Sequence, residues 1–180
     1  HASGGVHYAD GYSISQDNVL NFPAGSAELY EGVKYNLIYA VDDQNLSFNG
    51  LVFNTKPQIS WNQYSFHIRK NSTLTINGDT IGIVDASLPT DVNIGKDFGT
   101  YAIYAGDDSH IFLNGDVDVQ VEHDIGNDKQ ASVGANLLYA RDQSSIDIGT
   151  ANSNVRLWVL AAQPDLISAK YGSSVIFHST

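Results

Sequence analysis

A short phrase of apolar and polar positions occurs six times along the chain, beginning at residues 12, 38, 66, 103, 138 and 167. Its first and third positions are apolar, a polar stretch follows, and a second alternating pair of apolar residues ends it. Alternation with a period of two is typical of a β-strand that buries one face. The phrase therefore predicts two strands joined by a polar turn. The apolar pairs are Tyr12 and Ile14 with Leu20 and Phe22, Ile38 and Ala40 with Leu46 and Phe48, Phe66 and Ile68 with Leu74 and Ile76, Ile103 and Ala105 with Ile111 and Leu113, Leu138 and Ala140 with Ile146 and Ile148, and Ile167 and Ala169 with Val175 and Phe177.

A phrase that recurs at irregular intervals of this length indicates stacked laps of chain with loops of different lengths. Each lap also needs a strand that returns to the start of the next one. Four apolar runs after the phrase are candidates: Leu51–Phe53, Ile81–Ile83, Val117–Val121 and Val155–Val159. Three strands in a lap, with like residues above like, predict an all-β parallel β-helix (a β-solenoid) of about six coils.

Asn-Gly pairs follow the second strand in three copies, at 49–50, 77–78 and 114–115. We interpret them as repeated corners that need a positive φ, which Gly and Asn adopt readily. Asn-Gly pairs also join neighbouring strands in β-hairpins. An antiparallel β-sandwich is therefore the alternative to the solenoid.

The chain has 180 residues, enough for one domain with a real core, and no linker divides it. Residues 1–11 are Gly-rich and polar, which predicts a tag-like lead or a disordered segment, and the β-helix domain is expected to cover 12–180. No capping segment follows the last copy, so we expect a fragment of a longer solenoid. The polar insertions at 85–91 and 122–129 are predicted to protrude as loops.

Charge and composition narrow the classes of function. The chain has 9 Lys and Arg against 20 Asp and Glu, a net charge of −11, which disfavours nucleic acid and anionic lipid as partners. No apolar run approaches the roughly 20 residues that span a bilayer, so no membrane insertion by this segment is expected. The sequence has no Cys and no Met, which excludes disulfides and a thiol nucleophile.

Two copies carry a more specific pattern of Tyr-Ala, Asp, Ser and alternating Ile or Leu that ends in Gly, at residues 102–115 and 137–149. This pattern resembles the coils of autotransporter passenger domains of Gram-negative bacteria and of related β-helical surface adhesins. The resemblance spans roughly residues 12–180 and carries no catalytic signature. It implies a right-handed β-helix, exported through an outer-membrane barrel to the extracellular bacterial surface, with adhesion or self-association as the commonest use of the class.

An outward column of rings is the first candidate site. The position between the two leading apolar residues holds Tyr39, His67, Tyr104 and Tyr139 in four consecutive copies. Rungs about 4.8 Å apart would bring these side chains into a ladder, which would stabilise the fold by roughly 0.2–1 kcal/mol per pair. Tyrosine also offers a large contact area to a partner at low entropic cost. The four are therefore candidate ligand-binding residues as well as a stabilising stack.

Acidic turn residues form a second column, with Asp42-Asp43, Asp107-Asp108 and Asp142, and Lys70 interrupts it. Calcium would relieve the repulsion between stacked carboxylates, but the sequence lacks the glycine-rich nonapeptide of calcium-binding solenoids. We expect a solvated acidic turn, with no metal and no other cofactor.

Catalytic constellations are weak in this sequence. Asp116 and Asp118 share one strand face, as do Glu122 and Asp124, and paired acids about 5–9.5 Å apart are the machinery of glycoside hydrolases. Such pairs are expected by chance among 20 acids. The chain has no Gly-x-Ser-x-Gly elbow, and its histidines are too dispersed for a zinc site. We predict no catalytic residues and no enzyme activity.

The sequence thus predicts a non-catalytic surface adhesin segment. Its expected partner is a host surface glycan, a matrix protein or another copy of itself, bound through the ladder, the acidic turns and the inserted loops. One alternative is a polysaccharide-active β-helix, either a lyase or a hydrolase. The other is a purely structural stalk or one chain of a trimeric spike.

Overall fold

The structure is a computed structural model that describes residues 5–8, 13–14, 20–21, 30–33, 36–57, 63–85, 99–123, 134–161 and 163–179. These residues form strands and turns, and none of them lies in a helix that could cross a membrane. The strands are β1 (Gly5–Tyr8), β2 (Ser13–Ile14), β3 (Leu20–Asn21), β4 (Tyr30–Val33), β5 (Asn36–Val41), β6 (Asn45–Phe48), β7 (Leu51–Pro57), β8 (Gln63–Arg69), β9 (Thr73–Ile76), β10 (Thr80–Asp85), β11 (Gly99–Gly106), β12 (His110–Leu113), β13 (Val117–His123), β14 (Gly134–Arg141), β15 (Ser145–Ile148), β16 (Val155–Ala161), β17 (Gln163–Lys170) and β18 (Ser174–Phe177).

Parallel strands stack in three sheets, and each lap contributes one strand to each sheet in turn. The tyrosine sheet contains β5, β8, β11, β14 and β17, with β1 at its outer edge. The short sheet contains β6, β9, β12, β15 and β18, and the return sheet contains β4, β7, β10, β13 and β16. Neighbours within a sheet are one lap apart, whereas consecutive strands of a lap lie in different sheets. The antiparallel β-sandwich, which would pair sequence neighbours, is therefore wrong.

The register places equivalent positions of the phrase beside each other. In the tyrosine sheet the first apolar position forms one series of Cα partners: Ile38, Phe66, Ile103, Leu138 and Ile167. The first four of these side chains are 0% exposed. The predicted stacking of like residues around a dry core is confirmed for these laps.

Apolar residues of all three sheets meet in one core. The second apolar pairs of the third to fifth copies, in β9, β12 and β15, are fully buried, and so are Val117, Val119 and Val121 of β13. The predicted return strands are confirmed as β7, β10, β13 and β16. Strict alternation fails at one place in the second to fifth copies, because the residue before the phrase is buried next to the first apolar position. These doublets are Leu37 and Ile38, Ser65 and Phe66, Ala102 and Ile103, and Leu137 and Leu138.

The first copy of the phrase does not stack as a lap, contrary to the prediction. Its two strands, β2 and β3, pair with each other in a separate antiparallel sheet. The edge of β5 on which a preceding lap would lie is taken by β1, which runs antiparallel to it. Only β4 of this region is described beside the parallel stack, next to β7. A domain boundary between residues 11 and 12 stays a prediction.

The Asn-Gly corners lie between the short sheet and the return sheet, as predicted, but Gly115 lacks the expected positive φ, and crowding is the reason for glycine there. Gly78 has a φ of 145°. A Cβ on Gly115 would lie 2.3 Å from the carbonyl oxygen of Gly78, and a Cβ on Gly78 would lie 2.3 Å from that of Asn49. Successive corners therefore approach too closely for a side chain.

The polar turn inside the phrase contains two consecutive residues with positive φ in every lap from β5 onward. Asp, Asn and Gly adopt this conformation at the lowest cost. The acidic composition of the turn thus has a backbone cause. The pairs are Asp42 and Asp43, Lys70 and Asn71, Asp107 and Asp108, Asp142 and Gln143, and Tyr171 and Gly172.

A column of serines follows this left-handed pair and ties each turn to the next. The hydroxyl oxygens of Ser72, Ser109, Ser144 and Ser173 each accept a hydrogen bond from a backbone N–H of the preceding lap, at 3.1, 3.1, 3.1 and 3.0 Å. The first three serines are 0–2% exposed. They supply partners for N–H groups that would be costly to bury alone.

Candidate functional site

Six rings from four laps form a cluster on the outer face of the tyrosine sheet. We call Tyr39, Tyr64, His67, Tyr101, Tyr104 and Tyr139 the ring cluster. The four predicted ladder residues are Cα partners in series. Their ring centroids are 5.0, 4.9 and 5.3 Å apart along that series. The ladder has the predicted register, and its role in ligand binding stays a prediction.

Tyr64 and Tyr101 form a second column that sequence reasoning missed. They face outward because two adjacent residues at the start of the phrase are both buried. The residues on either side of this buried doublet therefore point to the same, outer face. Their rings stack at 4.9 Å and 13°, and Tyr64 also stacks on His67 at 4.1 Å and 15°. The available signal was a tyrosine three positions before His67 and before Tyr104.

Because the rings cover one another, the ladder is less exposed than the prediction required. Tyr39 and Tyr139 are only 7% and 9% exposed, and the other four rings are partly buried. Tyr104 stacks on Tyr139 at 6° and meets Tyr64 and Tyr101 edge-on. A partner would therefore contact the rims of the rings and not their faces.

Burial also shifts the acidities of the rings. It raises the pKa of Tyr104 to about 12 and, with smaller contributions from neighbouring tyrosines, raises the pKa of Tyr64 and Tyr101 above 10.0. Burial, together with the nearby positive charge of Arg69, lowers the pKa of His67 to about 3. These four rings are uncharged near neutral pH. The cluster therefore offers neutral hydrogen-bonding groups.

Three cations border the ring cluster where β8, β14 and β17 end. They are Arg69, Arg141 and Lys170. The Nζ atom of Lys170 lies 5.4 Å from the ring centroid of Tyr139, and the Cζ atom of Arg141 lies 5.3 Å from that of Tyr171. Such cation–π contacts are worth about 0.5–1 kcal/mol at exposed sites.

The acidic turn next to this border neutralises part of its charge. Asp107 accepts from Arg69 at 3.0 Å, and Asp142 accepts from Arg141 at 2.8 Å. Within the described ranges, no group of three or more acidic, His or Cys side chains is placed to hold a metal ion. The ion pairs and the left-handed backbone conformation together explain why the turn contains acidic residues.

One of the two carboxylate pairs considered for catalysis, Asp116 and Asp118, has structural contacts. An oxygen of Asp116 accepts from the backbone N–H of Asn154 at 2.9 Å, and Asp118 forms an ion pair with Arg156 at 3.0 Å. Asp124 lies outside the described residues, as do positions 86–91 and 125–129 of the inserted loops. The absence of catalysis stays a prediction.

Comparison with family models, with curated proteins and with solved structures finds no match to this chain. The resemblance to autotransporter passengers therefore depends on the coil pattern alone. The structure itself shows an all-β chain of parallel strands in three regularly stacked sheets.

Proposed function

We propose that the three sheets form a right-handed parallel β-helix, and that this β-helix is a non-catalytic binding segment of a bacterial surface adhesin. The repeated register from β5 to β17 supports the first part. The coil pattern of residues 102–115 and 137–149 supports the second. Export through an outer-membrane barrel and an extracellular location belong to the same proposal.

The observation that carries this proposal is the ring cluster beside its cationic border, on one face of a continuous stack. Six rings and three cations from successive laps form one adjoining surface. Tyrosine and arginine are the side chains that dominate binding energy at protein interfaces. The partner is a host surface glycan, a matrix protein or a second copy of the chain.

The test removes the tyrosine hydroxyls and keeps the stacked rings. Beads coated with the protein are measured for retention on host cells and for aggregation with each other. The triple variant Tyr64→Phe, Tyr101→Phe, Tyr104→Phe should weaken retention about tenfold or more, since each neutral hydrogen bond contributes about 0.5–1.5 kcal/mol.

Thr75→Val is the matched control, because it also removes a hydroxyl and lies in β9 of the short sheet, away from the ring cluster and its cationic border. It should leave retention unchanged. Equal retention and aggregation for the triple variant and the wild type would contradict binding through this face.

A structural stalk is the second candidate, because the ring faces already contact one another. Stacked pairs of this kind stabilise neighbouring laps without any ligand. A stalk predicts unchanged retention for the triple variant. A trimeric spike further predicts three chains in sedimentation equilibrium.

A further inference from the structure

The outer face of the return sheet contains a groove that is separate from the ring cluster. Its larger part, about 470 Å³, is lined by residues that include Asp79, Asp116 and Asp118. A smaller part, about 200 Å³, is lined by Gln120, Leu157 and Trp158. Arg156 lines both parts, which therefore lie side by side on this face.

Trp158 gives this groove an accessible aromatic face. Its side chain is 44% exposed and projects outward from β16. Among the described residues the indole belongs to no ring–ring or cation–π pair, whereas every member of the ring cluster contacts other rings. The Cα partner of Trp158 is Gln120, an amide that both donates and accepts hydrogen bonds.

Polar groups with fixed orientations continue the groove beside the indole. The Nε atom of Arg156 donates to Asp118 at 3.0 Å, although the Arg156 side chain is still 74% exposed. One oxygen of Asp79 accepts from the backbone N–H of Asp116 at 3.1 Å, and one of Asp116 accepts from that of Asn154 at 2.9 Å. These bonds hold the carboxylates in place from one lap to the next.

We propose that this groove binds a neutral carbohydrate chain. A pyranose ring has an apolar C–H face, which fits the exposed indole, and a rim of hydroxyl groups, which fits Gln120, Arg156 and Asp118. Three carboxylates against one guanidinium leave the groove acidic, so anionic sugars and phosphates are disfavoured. The inference rests on the proposed function as a non-catalytic binding segment. It adds a ligand class and a second binding face, on the return sheet.

Tryptophan fluorescence tests the inference directly, because the chain has only 2 Trp residues. In a Trp61→Phe variant the emission comes from Trp158 alone. Titration with neutral hexasaccharides (cellohexaose, maltohexaose, mannohexaose and chitohexaose) should produce a saturable change in emission with at least one of them. A hexamer of galacturonic acid should bind more weakly than that sugar.

Calorimetry with the best sugar then compares two variants that are first shown to be folded by circular dichroism. Trp158→Ala should bind about tenfold more weakly or worse, as expected for the loss of an aromatic contact. Tyr171→Ala, which removes an exposed ring elsewhere, should bind like the wild type. Trp158→Phe should retain part of the affinity.

Three outcomes would overturn the inference: no binding of any neutral hexasaccharide, equal binding by Trp158→Ala, or tighter binding of the galacturonic acid hexamer. The bead assay distinguishes failure of the groove inference from failure of the adhesin proposal. Sugar binding without retention on cells would leave the groove in place and contradict the adhesin. Retention on cells without sugar binding would contradict the groove inference and leave the adhesin proposal in place.

Discussion

At the scale of single residues, backbone conformation explains the composition of the turns. Asp107 and Asp108 have φ values of 53° and 61°, and their carboxylates face other side chains or solvent. The sequence predicted a solvated acidic turn, and the left-handed geometry adds the reason why Asp recurs at these positions. Residues with longer side chains at the same positions should carry a conformational cost.

Gln143, with a φ of 61°, tests that cost. Gln143→Asn should raise the free energy of unfolding by roughly 0.5–1 kcal/mol, because Asn adopts the left-handed conformation more readily than Gln. Urea denaturation measures the change. Gln120→Asn is the matched control in strand β13, where Asn is disfavoured, and it should not stabilise the chain; stabilisation by both variants would contradict the explanation.

The partly buried imidazole of His67 makes stability depend on pH. Its folded-state pKa, about 3, is below the ordinary value of 6.5, so between these values the unfolded chain binds more protons and stability falls as the pH falls. From pH 7 to pH 5 the loss from His67 should be about 2 kcal/mol. Comparing urea denaturation of the wild type and His67→Gln isolates it. Parallel losses in the two proteins would contradict the shift.

At the scale of elements, each turn is secured to the next lap by a side chain as well as by the sheets. The serine column repeats one contact, hydroxyl to backbone N–H, between successive laps. The surface positions of the phrase can therefore vary, provided that the serine position keeps a small polar residue.

Ser109→Ala should lower the free energy of unfolding by about 1–3 kcal/mol, because the buried N–H of Ser72 loses its acceptor. Thermal and urea unfolding both measure the loss. Ser174→Ala changes an exposed serine in β18 and should stay within about 0.5 kcal/mol of the wild type. A neutral Ser109→Ala would show that the column is dispensable.

At the scale of the whole molecule, a lap is stabilised mainly by its two neighbours. The same position of the phrase therefore has different burial along the stack. Ile103, between two laps, is 0% exposed, whereas Ile167 in β17 is 42% exposed. Side chains of β16 and β18 are likewise more exposed than their counterparts in the central laps.

This gradient gives a matched pair of substitutions. Ile103→Ala should cost about 2–5 kcal/mol, as for a fully buried isoleucine. Ile167→Ala should cost less than about 1.5 kcal/mol, because it removes less buried surface and leaves no enclosed cavity. Urea denaturation compares them. Equal costs would indicate that this end of the chain is covered in solution.

Several features of the site could be predicted only in part. The order Tyr39, His67, Tyr104, Tyr139 follows from the phrase, and the structure places these residues in that series. Their low exposure and the second column were not predictable, because both depend on the buried doublet. The groove at Trp158 was missed for a related reason: β16 was identified by its apolar run, and such a run does not show which neighbours its outward residues meet.

By itself, the sequence determined the lap, the strands of the phrase and the residues that face the core, because a period of two and a repeated phrase are local properties of the chain. Only the tertiary structure decided the rest. β1 displaces the first copy from the stack, and the ring of Phe53 fills the space where a Cβ on Gly82 would lie, at 2.0 Å. Both depend on contacts between segments that are separated in the sequence and adjacent in space, and such contacts are set by packing, which no single stretch of sequence encodes.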